Sequence, residues 1–184
     1  MYPTDGELST TNSEAAATDP PERDATPAEM RALAHPLRWR ILRITLDEAL
    51  TNKQIAERLG RDPGTVLHHV RVLVDGGFLA ADDVRAGKRG ALERPYRATG
   101  KTWRIRLLPD AGNTAAVIEA VRDELLEAGD EATLATLRLG VRLAPDDVAE
   151  LKRRVAALGD EFVSRDDPAG EPVGILAVVH RRRP

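Results

Sequence analysis

The chain has no cysteine, few aromatic residues and no apolar run long enough to span a bilayer. Without cysteine there can be no disulfide, no thiolate metal site and no cysteine nucleophile. Aromatics make up 3% of the 184 residues, so any core must be aliphatic, and a hydrophobic content of 42% supplies the material for one. No segment approaches the roughly 18 consecutive apolar residues that a membrane span needs. The opening "MYPTDGELSTTNSEAAATDPPERDATPAEM" lacks the basic start and apolar run of a signal peptide. A cytoplasmic protein without membrane contact is expected.

Charge is unevenly distributed. The formal net charge of −3 divides into −5 over residues 1–27, +7 over residues 28–107 and −5 over residues 108–184. A basic block between acidic flanks suits a middle region that meets a polyanion, although chance segregation of solvated charge would look the same.

Residues 1–25 are rich in Thr, Ser, Pro, Asp and Glu with almost no large apolar side chain, which predicts a disordered acidic tail. A helical pattern follows over Pro27–Asp47, with Met30, Leu33, Leu37, Ile41, Leu42 and Ile44 as its stripe. Pro36 should interrupt it. Thr51 with Gln54 three residues on forms a capping box for "TNKQIAERLG", and Gly60 is its stop. Asp62 caps the next helix with Pro63 in its first position, and Gly76-Gly77 ends it. A short helix, a three-residue turn and a second helix are the spacing of a helix-turn-helix. Next, "FLAADDV" and "RPYRATG" flank the polar, glycine-bearing "RAGKRGALE", a hairpin with a long basic tip. Three helices and a basic-tipped hairpin predict a winged helix over residues 26–107.

These residues carry a resemblance. "LAHPLRWRIL", "IAERLG" and "TVLHHVRVLVDGGFL" resemble the matching segments of the ArsR-type winged helix-turn-helix transcriptional regulators, over roughly residues 28–100. The resemblance implies a dimer that reads two half-sites on double-stranded DNA, with helix 62–75 in the major groove and hairpin 78–99 as the wing. It also places His69 beside the core. The cysteine motif of the metal-sensing members is absent, and "TNKQIAERLG" stands in its place.

The adjacent pair His68-His69 raises the question of a metal. Neighbouring helical side chains diverge by about 100°, so the two do not chelate as an i, i+4 pair does. His35 and His180 are isolated in sequence, and no metal or cofactor is expected. His68 falls instead on the outer face with Thr65 and Arg71. The expected DNA-binding residues are Arg61, Thr65, His68 and Arg71 around the recognition helix, with Arg85, Lys88 and Arg89 in the wing. Each arginine alone reads as a solvated charge; the common surface gives the group its meaning. Paired carboxylates in an apolar setting, a nucleophile elbow and a phosphate-binding glycine loop are all missing, so an enzyme is not expected. The alternative is a winged-helix protein–protein interaction module without sequence-specific DNA binding.

Residues 108–184 read as a small α/β unit, making the whole chain α+β. "TAAVIEAVRDELLEAG" is an amphipathic helix with Val117, Ile118, Val121 and Leu125 on one face, "LRLGVRL" an alternating strand, "PDDVAELKRRVAALG" a second helix and "VGILAVV" an apolar strand. This unit is expected to serve dimerisation or to hold a small-molecule effector not identifiable from sequence. The helix at 114–128 is the candidate dimer seam, with intrachain packing the competing reading.

Overall fold

A computed structural model describes residues 23–86 and 92–182. The tail expected at residues 1–25 lies outside that range up to residue 22. Arg23–Asp24 form a short strand, β1, with Ala25 buried behind it.

The long pattern from Pro27 is two helices, α1 (Pro27–Leu33) and α2 (Pro36–Ile44). Pro36 sits in the first position of α2, where its missing N–H costs nothing. His35 caps that helix, its Nδ1 accepting from the Leu37 N–H at 3.1 Å. The corner is fixed from the other side by the Trp39 indole, which donates to the Leu33 carbonyl at 2.8 Å. After β2 (Leu50–Thr51) come α3 (Asn52–Leu59) and α4 (Pro63–Asp75). Both expected caps form. Thr51 accepts from the Gln54 N–H while Gln54 accepts from the Thr51 N–H, and Asp62 accepts from the Thr65 N–H at 2.9 Å. Gly60 closes α3 at φ +58°, a left-handed conformation that side-chain-bearing residues rarely adopt.

The expected hairpin is β3 (Leu79–Ala81), β4 (Arg85–Ala86), β5 (Leu92–Glu93) and β6 (Pro95–Ala98). β6 runs antiparallel between β2 and β3, with Leu79 opposite Ala98 and Leu50 opposite Tyr96; β4 pairs with β5 further out. The short helix α5 (Lys101–Arg104) leads into β7 (Ile105–Arg106), which lies parallel to β1. Leu33, Ile41, Ile55, Val66, Val70, Leu73 and Phe78 bury their side chains between the helices and the sheet, so the core is aliphatic apart from Phe78.

Helix α6 (Ala111–Ala128) packs on α2 and also touches α1, and its buried residues are Asn113, Ala116 and Ala120. Arg40 and Arg43 of α2 pair with Glu127 and Glu124 along that contact. Of the face expected to be buried, Val117 and Val121 are half-buried while Ile118 and Leu125 stay exposed. The small alanines let the backbones approach and turn the larger side chains outward. Helix α7 (Pro145–Val163) follows a single 3-10 turn at Asp130–Ala132. Both expected helices of the C-terminal unit are present. Residues 137–143 and 173–179, expected as strands, carry no ladder among the described residues. Residues 137–143 alternate as a strand does and residues 173–179 are continuously apolar, but neither segment is paired among the described residues.

Candidate nucleic-acid interface

The phase of α4 is set by its ends. Asp62 holds its first turn, and the Asn52 side-chain amide donates to the Pro63 carbonyl at 2.9 Å, tying the start of α3 to the start of α4. Val66, His69, Val70 and Leu73 then face inward, and Thr65, His68 and Arg71 face outward and are exposed. Arg61 stands exposed in the turn before the helix, and Arg85 stands exposed on β4. Among the described residues none of Arg61, Arg71 and Arg85 makes an ion pair or a side-chain hydrogen bond, so each cation is available to a ligand. Lys88 and Arg89 of the wing lie outside the described residues.

The expected set thus sits on three elements, and its members are not equivalent. Thr65, His68 and Arg71 share one face of one helix. Arg61 is also within electrostatic reach of His35 and of Asp123 on α6, so part of its field is spent on the protein. Near Arg85 the base of the wing carries Asp82 and Asp83, which oppose a phosphate approaching from that side.

Behind α4 lies a contact that sequence separation hides. The rings of His35 and His69 are 4.4 Å apart at their centroids, and His68 meets His69 edge-on at 5.3 Å. The Arg38 Nε–H donates to His69 Nδ1 at 3.2 Å, and the Arg38 Nη1 donates to the Arg31 and Ala32 carbonyls at 3.0 Å. An Nδ1 that accepts from a guanidinium belongs to a neutral imidazole. Burial, then His35 and Arg38, push the His69 pKa down to about 4. His69 is a packing and hydrogen-bonding residue, and His35 is its neighbour rather than isolated. Among the described residues no three His, Cys, Asp or Glu side chains are grouped to hold a metal ion.

A second polar knot holds the far end of α4. The buried Glu29 carboxylate accepts from Arg23 at 2.6 and 2.8 Å, from Lys101 at 2.7 Å and from the Thr26 N–H at 2.8 Å. Lys101 donates in turn to the Gly76 carbonyl at 2.6 Å, at the end of α4. Arg23 foremost, with Lys101 and the Thr26 cap, holds this carboxyl well below the usual carboxylate range against the cost of burial. The sequence reading missed Glu29. Its signal was the Thr26-x-x-Glu29 spacing of a capping box, which the structure forms.

Residues 33–80, from the end of α1 to β3, match the model of a helix-turn-helix domain family. This is a winged helix-turn-helix domain. The helix-turn-helix domain resembles those of the ArsR-type DNA-binding regulators, as its helix motifs imply. Similar solved structures include the homodimeric winged helix-turn-helix DNA-binding domain (fragment 1-100) of Mb0332 from Mycobacterium bovis, described as a possible ArsR-family transcriptional regulator. It is 24% identical, with a TM-score of 0.35, over 55% of this chain and 82% of that one. A doubly and a singly substituted ZitR from Lactococcus lactis are 17% and 18% identical, with TM-scores of 0.30 and 0.29. They cover 75% and 74% of this chain and 75% of each of theirs. No curated protein matches the chain. Among the described residues no helix is long and apolar enough to cross a membrane.

Proposed function

We propose that the chain is a transcriptional regulator that binds specific sequences in double-stranded DNA as a homodimer, with α4 in the major groove and the β3–β6 hairpin as wing. The observation that carries this reading is the outer face of α4. Thr65, His68 and Arg71 are exposed there at helical spacing, on a helix whose start is tied by Asp62 and Asn52 and whose end is tied by Lys101. A rigid helix with exposed hydrogen-bonding side chains facing one way is what base-edge reading requires. Arg61, Arg85, Lys88 and Arg89 would supply phosphate contacts, which position the domain and carry most of the salt dependence.

The test is a gel-shift with genomic fragments at two salt concentrations, followed by recovery of the bound sequence from a random pool. Arg71→Ala or His68→Ala should change base preference at one or two positions, at about 1–3 kcal/mol against the preferred site. Lys88→Ala with Arg89→Ala should weaken all sequences alike and flatten the salt slope by roughly one to two units. Failure to shift any fragment at low salt would remove the DNA reading and leave the protein–protein module.

A further inference from the structure

Residues 134–143 and 171–182 make no backbone-to-backbone hydrogen bond among the described residues, and every one of them is exposed. Leu134, Leu137, Leu139 and Ile175 are each at least 70% exposed. The large apolar side chains of the two segments together leave on the order of 800 Å² or more open, about what each partner contributes to a standard protein interface. The end of the second segment reaches the first through one side chain: a Cβ on Gly140 would stand 3.2 Å from the Arg182 guanidinium. Extended backbone with free N–H and C=O groups and apolar side chains is a template for pairing with another strand, and pairing also removes that apolar surface from water.

We propose that residues 137–143 and 173–179 form a four-stranded sheet with a second copy of this chain, the two 173–179 segments meeting at the centre. This deepens the homodimer reading above and rests on it. The choice of occupant follows from charge and pattern. "VGILAVV" carries no charge, so antiparallel pairing with its own copy opposes no like charges. Pairing "LRLGVRL" with its own copy about Gly140 would instead set Arg138 against Arg142. A strand apolar on both faces belongs in the interior of a sheet, and one that alternates leucine with arginine belongs at an edge, where charge blocks further pairing. The order is therefore 137–143, 173–179, then the same two segments of the second copy reversed. Each copy contributes one α7 to a face of that sheet, through Val148, Leu151 and Val155, which are half-buried in the single chain.

The absence of cysteine makes the test direct, because one introduced thiol can bond only to the same position in another copy. In the full-length chain, Ile175→Cys, Leu176→Cys and Ala177→Cys are made singly and oxidised without DNA. At least one should run as a covalent dimer, while Arg138→Cys, on an outer strand, should not. Light scattering of the unmodified chain should give the mass of two copies. Leu176→Lys should give one copy with the winged-helix thermal transition retained, and Ile118→Lys on α6 should leave the dimer. The proposal is overturned if the unmodified chain is a monomer, if Leu176→Lys remains dimeric, or if Ile118→Lys dissociates it. None of these readouts involves DNA, so they fail or succeed separately from the DNA-binding reading.

Discussion

The winged helix between Ala25 and Leu107 and the region from Gly129 to Arg182 draw on the same aliphatic residues, yet dispose of them in opposite ways. In the first, Leu33, Ile41, Ile55, Val66, Val70 and Leu73 are wholly buried. In the second, Leu137, Leu139 and Ile175 stand largely in solvent. Both follow regular apolar spacing. The first brings four helices and a three-stranded sheet to one point, so every apolar stripe has an opposing surface. The second has one helix and two unpaired segments, too few layers to enclose anything. Periodicity names the face that wants burial; only a second element supplies it.

The sharpest way to break this contrast is to place the same charge in both regions. Val70→Asp buries a carboxylate in the apolar core that also holds Val66, Leu73 and Ile41, and should abolish the thermal transition, at a cost of about 4 kcal/mol or more. Leu139→Asp should leave that transition where it is, because Leu139 contributes nothing to the winged-helix core. Circular dichroism melts of the two variants decide it. A Val70→Asp protein that still melts cooperatively would mean the phase of α4 is wrong.

A smaller effect separates two acids that are both paired with arginines. Glu29→Gln removes the charge that Arg23 and Lys101 share in a buried knot, and should cost about 2–3 kcal/mol in chemical denaturation. Glu150 on α7 also pairs with two arginines, Arg153 and Arg154, but on an open helix face, and Glu150→Gln should leave the denaturation midpoint unchanged. Equal shifts from the two substitutions would show that α7 belongs to the same cooperative unit.

What could be read from sequence in the winged helix was local. The Thr51–Gln54 box, the Asp62 cap, Gly60 and the break at Pro36 each depend on residues within a few positions, and each forms. The outward face of α4 followed from the same phase. The contacts of His35 with His69 and of Glu29 with Lys101 were not legible, since they join residues 34 and 72 positions apart through the packing of helices. In the C-terminal region the helices were legible for the same local reasons. The strands were legible only as patterns, because a ladder depends on a partner that no spacing within the segment specifies.

Acid should resolve the buried groups in two steps. Unfolded, His69 takes up a proton near pH 6.5; folded, it does so only near 4. Between those values the unfolded state binds more protons, so stability is full above about pH 6.5 and declines as pH falls toward 4. His35, lowered chiefly by burial, acts in the same sense. Glu29 has its carboxyl held low, so its contribution is present above about pH 4.5 and is lost as pH falls further. The melting temperature should therefore drop by a few degrees from pH 7 to 5, and more steeply below. His69→Gln, whose amide oxygen can still accept from Arg38, should flatten the first step and leave the second. A melting temperature constant from pH 7 to 5 in the unsubstituted chain would contradict a buried neutral imidazole.

The smallest effect concerns how the helices begin. In the winged helix α1, α2, α3 and α4 each start with a side chain accepting from the first turn: Thr26, His35, Thr51 and Asp62. The residue that caps α7, Ala144, has extended backbone, φ −64° and ψ 157°, but no side-chain acceptor to offer. Its first turn relies on Asp146 and Asp147 facing the positive end of the helix dipole. Ala144→Ser keeps the conformation and adds the missing acceptor, which should stabilise the first turn by about 0.5–1 kcal/mol. Hydrogen exchange at the Asp147 and Val148 amides should then slow by roughly two- to fivefold. The global melting temperature of the winged helix should not move. If it rises with Ala144→Ser, α7 folds in concert with the domain before it, and the division between the two regions dissolves.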